Sequence, residues 1–495
     1  MSGPLEWLRR GDPGREVVCG ADGAGASAAG LAASIERAAR ALREADVKVL
    51  ATLADNGPDW VLADLAAWHA GVVHVPLPAF FTPAQAGHAL QAAGVDAIAS
   101  AVPQAGDAVW PGTALRLRRC ANPPVALPVG TVKVSFTSGS TGRPKGACLS
   151  GDALAAVAEG VAAALAPIGI RRHLAALPLA VLLENVAGVY APLAAGGAIA
   201  GPPPAEGGLE GSARFDAARL QAAVERWRAD SVIVLPQMLR AWAAVRAGRR
   251  GPAPAPRFVA VGGAAVGAVT LAAARATGLP AYEGYGLTEC GSVQTLNLPG
   301  HDRPGSAGRA LPHARVRVAA DGEVRVSGTP MLGYLGDAVA TGVARDGEWA
   351  TGDLGRLDDE GFLHLSGRRG NLLITAFGRN VSPEWVETAL QSHPAIAHAV
   401  VLGDGRAALS AVLWPARPAL PPPERDATLR AAVDAANATL PDYARIGPWV
   451  AARVPFDASA GTATPNGRPL RAAIDTLHAA ELSAAYLRST DDVLP

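Results

Sequence analysis

A chain of 495 residues exceeds what one hydrophobic core organises, and its length predicts roughly two to four domains of ~150 residues each. With 49% hydrophobic and 18% charged residues it has the composition of a globular protein, and Lys+Arg 44 balance Asp+Glu 44. That balance gives no support to nucleic acid or an anionic membrane surface as a partner.

The first seven residues lack a basic region followed by an apolar run, so no signal peptide is expected. No uninterrupted apolar stretch of ~18 residues stands out, so no integral membrane segment is expected. Cys19, Cys120, Cys148 and Cys290 are scattered, without a CxxC spacing. They predict a reducing, cytoplasmic setting and no structural zinc. The glycines of 20–30 fail the GxGxxG spacing and read as a loop. An Ala-rich helix over 27–45 then leads into a strand over 47–53, a helix over about 59–70 and a strand over 72–77. Strand, helix, strand implies a parallel sheet.

After the strand-like Val132-Lys133-Val134-Ser135-Phe136 comes Thr137-Ser138-Gly139-Ser140-Thr141-Gly142-Arg143-Pro144-Lys145-Gly146. Glycines let a backbone turn tightly against a ligand, while hydroxyls, free N–H groups and one Lys favour anions. The spacing is not that of a Walker loop, which needs Gly-Lys-Ser/Thr at its end. Downstream the alternation resumes: a helix over 151–166, an apolar segment over 174–199, a helix over 215–229 and a strand over 231–235. A helix over 237–247, a strand over 257–261, a helix over 268–277 and a strand at 281–282 follow. From about residue 300 short alternating strands, such as 314–318 and 322–327, predict a small antiparallel subdomain. A boundary falls near Gly367-Arg368-Arg369-Gly370-Asn371. Beyond it a strand over 372–375, a helix over 383–391, strands over 397–402 and 408–413 and a helix over 425–439 make a compact α+β unit. No room is left after it for a carrier domain, so a carrier partner would be a separate chain.

Three further motifs carry chemistry. In Tyr282-Glu283-Gly284-Tyr285-Gly286-Leu287-Thr288-Glu289, Tyr285 offers a flat face for packing or for a base. Thr288 and Glu289 offer oxygens for a hard cation. Asp353, in Thr351-Gly352-Asp353, suits either a turn or a diol. Ser366-Gly367-Arg368 adds a cation, which a solvated strand would also tolerate.

With the 137–146 loop, these strings resemble the adenylate-forming superfamily: acyl-CoA synthetases, aryl-CoA ligases, luciferases and nonribosomal peptide adenylation domains. The resemblance implies an α/β fold. Residues 1–367 would form a large N-terminal adenylation domain of α/β sheets with a small β subdomain. Residues 368–495 would form a small mobile α+β lid. It implies nucleotide contacts at Thr137, Ser138, Gly139, Ser140, Thr141, Gly142, Gly262, Gly263, Ala264, Glu283, Gly284, Tyr285, Gly286, Asp353 and Arg368. Catalytic roles fall to Thr288, Glu289, Lys145 and Arg468, with Mg²⁺ held by Glu289 and Thr141. Gly378, in Ala376-Phe377-Gly378-Arg379, would line a thiol tunnel. The lack of Lys at 377 looks closer to long-chain acyl-CoA synthetases than to aryl-CoA ligases.

Two positions depart from the family. Gly370 stands where its hinge has Asp or Lys, which would loosen domain rotation. Arg468 stands where it has the Lys that bridges carboxylate and α-phosphate. Arg keeps the charge but is longer and planar. The implied activity is activation of a carboxylic acid by Mg·ATP to acyl-AMP, with transfer to the thiol of CoA or a carrier-protein phosphopantetheine. The acyl pocket is expected at Leu177-Pro178-Leu179-Ala180-Val181-Leu182-Leu183-Glu184-Asn185-Val186-Ala187-Gly188, with Leu183, Glu184 and Gly188 at the substrate. Its Leu/Val character favours an apolar chain such as a fatty acid. Glu184 could instead face solvent, pair with Asn185 or hold a substrate amine, which keeps an amino-acid or amine-acylating enzyme open. A nucleotide-binding relative with impaired adenylation is the third reading.

Overall fold

The computed structural model describes residues 3–21, 23, 25–137, 144–211, 214–249, 251, 253–336, 347–464 and 468–491. The N-terminal part is built on two large sheets of nine and eight strands. The first sheet is parallel through Arg172–Leu174, Ser231–Val234, Phe258–Val261 and Ala281–Leu287, and its outer strand Ser292–Leu296 turns back antiparallel. The second is parallel through Ala97–Ser100, Val49–Leu53, Val73–Pro76 and Thr131–Thr137, and Lys145–Ser150 returns antiparallel beside the last. These central strands read as apolar runs because layers cover both their faces.

Helix starts follow local chemistry. Ser27 accepts from Gly30 N at the start of Ala28–Glu44, and Ser150 accepts from Ala153 N at the start of Gly151–Leu165. Helix Pro58–Ala70 is buried at eight consecutive positions, Trp60 to Ala67, so it has no polar face to show. The helical run Gly151–Ile168 is long and apolar enough to cross a membrane by length and composition alone, although Asp152 and Glu159 interrupt its apolar sequence. Its Leu154, Val157, Ala158 and Val161 pack into the protein core. The 20–30 segment is also corrected: Gly25–Ser27 is a strand, antiparallel to Glu16–Cys19.

Two adjacent residues tie the sheets together. The apolar 174–199 segment contains a π-helical turn, Glu184–Tyr190, in which the wider pitch brings Ala191 N–H back to Val186 O. Asn185 and Tyr190 enter a sealed polar cluster with Asp64, His74 and Lys133 of the second sheet's layer. Lys133 Nζ donates to Asp64 at 2.7 Å, to Tyr190 Oη at 2.8 Å and to Asn185. Asp64 also takes Tyr190 O–H at 2.6 Å and faces His74 Nδ1 at 2.6 Å. Burial pushes the Asp64 carboxyl up, but Lys133 and His74 outweigh it and hold the carboxyl well below the usual range. Glu184 instead faces the first sheet.

Strands Arg315–Val318, Glu323–Ser327, Glu348–Leu357 and Leu363–Arg368 form the expected antiparallel sheet. Its last strand, Leu363–Arg368, still contains Arg368, and the chain leaves through the 3₁₀ turn Arg369–Asn371. The C-terminal unit has a three-stranded sheet with its own core around Val386, Val401, Leu413 and Val433. Strand Ile446–Ala451 and the long helix Arg471–Asp491 complete it.

Candidate active site

Parallel strands present their C-terminal ends, and the loops leaving them, on one rim, which is where such sheets place ligands. Gly262, Gly263 and Ala264 follow Phe258–Val261 there. Gly263 has φ +85°, a conformation glycine adopts without strain. Glu283 lies beneath this loop. Its Oε1 accepts Val266 N–H at 3.0 Å and its Oε2 has no partner among the described residues, so burial pushes the carboxyl up to about 7. The nucleotide contact expected of Glu283 is corrected: the side chain is a buried prop under the 262–266 loop. Packing also calls for glycine at 284 and 286. A Cβ at Gly284 would lie 2.8 Å from Leu296 Cδ1, and one at Gly286 would lie 2.1 Å from Ser292 O.

The remaining motif residues converge. Tyr285 O–H donates to Asp353 Oδ2 at 2.7 Å. Asp353 and Arg368 are paired in register across neighbouring strands, with Arg368 Nε 3.6 Å from Asp353 Oδ1. Burial pushes the Asp353 carboxyl up against the pull of Tyr285, Arg368 and Arg468. Glu289 sits in the short turn Thr288–Cys290, and Tyr334 O–H donates to its Oε1 at 2.6 Å. Lys145 Nζ rests 5.6 Å from the centroid of the Tyr334 ring. Thr137 ends its strand, its Oγ1 3.5 Å from Lys145 O. Ser138, Gly139, Ser140, Thr141 and Gly142, including the metal ligand expected at Thr141, lie outside the described residues.

Arg468 comes from the C-terminal unit yet belongs to this cluster. Its backbone is held by Thr464, whose Oγ1 accepts Arg468 N–H at 3.0 Å and whose N–H reaches Arg468 O at 2.7 Å. Crowding by the cleft lowers the guanidinium's pKa, Arg368 lowers it further, and Asp353, Glu384 and Glu289 oppose them. The C-terminal unit is docked by Arg240, whose guanidinium donates to Gln391 Oε1 at 3.3 Å and to Ala397 O at 3.4 Å. A Cβ at Gly370 would meet nothing within 4 Å, so no packing requires glycine there. Gly378 (φ +72°) is exposed in the turn between Leu373–Ile374 and Asn380–Val381.

An apolar cavity of about 560 Å³ opens behind the cleft. Its inner end lies at Leu183, whose Cδ2 would be 3.8 Å from a Cβ on Gly262. Its floor is the sheet face carrying Ala260 and Ile233, then Phe258 and Ser231. Its roof is Ala162, Ala163 and Ala166 with Ala187 and Ala191, and its outer end reaches Arg10 and Glu159. Leu183 lines it as expected, but Glu184 and Gly188 do not. Glu184 is fully buried, with Oε1 2.7 Å from His173 Nε2 and Oε2 accepting Leu177 N–H at 3.1 Å. It is sealed from solvent and turned toward His173 and Leu177. Gly188 makes room for that pair, since a Cβ there would lie 2.2 Å from Glu184 Oε1. Tyr334, His173 and Ser231 went unread in the sequence, because nothing local marks them. Only the strand pairing brings Ser231 beside His173.

An interdomain cleft of Lys, Arg and carboxylates over an apolar pocket, on a two-sheet α/β body with a small docked domain, is the architecture of an adenylate-forming enzyme. The AMP-binding enzyme family model matches residues 5–335, and its C-terminal-domain model matches residues 371–490. The chain belongs to this family. A feruloyl-CoA synthase from Amycolatopsis is 31% identical over 75% of this chain and 79% of its own. A long-chain-fatty-acid–CoA ligase of Mycobacterium bovis is 32% identical, and there the match spans 46% of this chain and 42% of the relative. Among solved structures, the o-succinylbenzoate CoA synthetase of Bacillus subtilis in complex with an acyl-adenylate has TM-score 0.74 at 23% identity, covering 95% of this chain and 97% of its own. The same synthetase in complex with ATP and magnesium ion has TM-score 0.74 at 22% identity, covering 96% and 99%.

Proposed function

We propose that the chain activates a carboxylic acid with ATP, forming acyl-AMP and pyrophosphate, and passes the acyl group to a thiol of CoA or of a separate carrier's phosphopantetheine. The observation that carries this is the convergence of Arg468, Arg368, Asp353 and Glu289, with Lys145 resting on the Tyr334 ring that holds Glu289. Cations in such a cluster neutralise carboxylate and phosphate, which repel each other on approach, and such fixed charges supply most of the catalysis in phosphoryl chemistry. Asp353 is an acceptor suited to the ribose diol, and Tyr285 fixes its orientation. Arg468 would bridge the attacking carboxylate and the α-phosphate, in the role the resemblance gives to Lys.

The residues fit a magnesium ion bound mainly through phosphate oxygens. No cluster of three His, Cys, Asp or Glu exists among the described residues. Glu289 keeps Oε2 without a partner among them, and one carboxylate plus substrate phosphates is a usual Mg²⁺ environment. When bound, the ion would neutralise phosphate charge. The apolar cavity supports a fatty or aryl acyl group, in keeping with the relatives' names. All four cysteines are unpaired, which supports a reducing compartment such as the cytoplasm.

The test is pyrophosphate release from Mg·ATP across fatty, aryl, hydroxy and amino acids, with and without CoA. Acid-dependent release is expected, with AMP release accelerated by a thiol. ATP binding without release for any acid would overturn the reading in favour of a nucleotide-binding relative.

A further inference from the structure

The cavity wall is apolar between its two ends except at one level. There His173 and Ser231, on neighbouring strands, both line the space. Ser231 Oγ lies 2.9 Å from His173 Nδ1, and Glu184 Oε1 lies 2.7 Å from Nε2 on the other side of the ring. All three side chains are buried. A buried polar row in an apolar wall lowers affinity for a plain chain unless the ligand uses it.

The donor and acceptor inventory says what would use it. If the imidazole is neutral, Nε2–H donates to Glu184, Nδ1 accepts the serine proton, and Ser231 Oγ retains acceptor capacity. If the imidazole is charged, Nδ1–H donates to Ser231, and the serine proton turns toward the cavity. A hydroxyl satisfies both arrangements because it donates and accepts. A carbonyl or an ammonium satisfies only one. With the imidazole charged, Glu184 and His173 balance each other, and a charged ligand group would add an unbalanced charge.

The register sets the depth. Ser231 pairs with Phe258, four residues before Gly262 on the neighbouring strand. At ~3.3 Å per residue that places the row ~13 Å from the nucleotide rim. An extended chain rises ~1.25 Å per bond, from a ~1.52 Å bond and a ~111° angle, so the row lies ~10 bonds from the carboxyl carbon. We propose that the Ser231–His173–Glu184 row reads a hydroxyl about ten bonds from the activated carboxyl, making the preferred substrate a long hydroxy acid. The inference rests on the acid-activating function proposed above.

The test compares decanoic acid, ω-hydroxy acids of eight to twelve carbons and 2-hydroxydecanoic acid by kcat/KM of pyrophosphate release. Wild type should accept 10-hydroxydecanoate at least as well as decanoate, with the ω-hydroxy series peaking near ten carbons. An apolar wall without recognition would penalise the buried hydroxyl by ~10-fold or more. In Ser231→Ala the 10-hydroxydecanoate to decanoate ratio should fall ~10-fold. A wild type that rejects the ω-hydroxyl overturns the inference, as does a Ser231→Ala ratio equal to wild type. Turnover of plain acids alone would leave acid activation standing, whereas silence toward every acid would fell both. If Ser231→Ala does not fold, the wild-type length series decides by itself.

Discussion

The nucleotide cleft and the sealed cluster around Asp64 are both knots of charge, and they differ in what is left unbonded. In the cluster, Lys133, Asn185, Tyr190 and His74 all turn on Asp64, and each side chain is buried. In the cleft, Arg468 and Arg368 stay exposed, and Glu289 spends one oxygen on Tyr334. A saturated charge cluster serves the fold. An unsaturated one, held in place by its neighbours, waits for a ligand.

The sharpest way to break the sealed cluster is Lys133→Met, which leaves Asp64 buried without its cation. Losing one partner of such a pair costs about 3–5 kcal/mol. A urea midpoint far below wild type is expected, and an unchanged midpoint would show that the cluster contributes little. In the cleft, Arg468→Ala should leave that midpoint nearly unmoved yet slow acyl-AMP formation ~100-fold or more, the scale of losing one preorganised charge donor. Thiol transfer from supplied acyl-AMP should survive, and rapid-quench assays of the two half-reactions separate the effects.

Much of the cleft was legible from sequence because its charged and polar residues cluster in short strings. Asp353 sits among Gly and Thr, and Lys145 follows a run of hydroxyls. The alternation of strands and helices also fixed the parallel sheets, since apolar runs and Gly-rich turns punctuate them. The sealed cluster was illegible for the opposite reason. Lys133 sits in an ordinary strand pattern, and its partner Asp64 is 69 positions away. The pairing of Glu184 was hidden as well, because Glu184 sits in the wide turn while its partner His173 lies on a strand 11 positions upstream. Glu283 was misplaced because its motif marks a nucleotide site, while its side chain points under the loop rather than onto the rim.

Glu283 stands between the two regions, being sealed yet half satisfied. Its folded pKa of about 7 exceeds the ordinary 4.5, so the folded state keeps a proton that the unfolded chain releases. Stability carried by that proton is present at pH below 4.5 and is lost as pH rises through about 7. Glu283→Gln should therefore gain about 1–3 kcal/mol over wild type at pH 8, and the gain should shrink toward pH 5. Denaturant midpoints at the two pH values check this. The smallest effect is expected at the domain contact. Arg240→Ala removes hydrogen bonds worth about 1 kcal/mol, enough to slow adenylation by a few-fold. Transfer from supplied acyl-AMP should be unchanged or faster, and equal slowing of both steps would rule out a role in domain orientation.

The wide turn Glu184–Tyr190 acts as a phase shifter. Glu184 addresses one sheet, and its successor Asn185 addresses the other. Each residue of an α-helix advances the chain by ~100°, so removing one residue here would rotate every preceding side chain relative to every later one. Both attachments would lose phase together, and the cavity roof would turn with them. Substitutions in this segment can be absorbed one at a time, whereas a change in its length cannot.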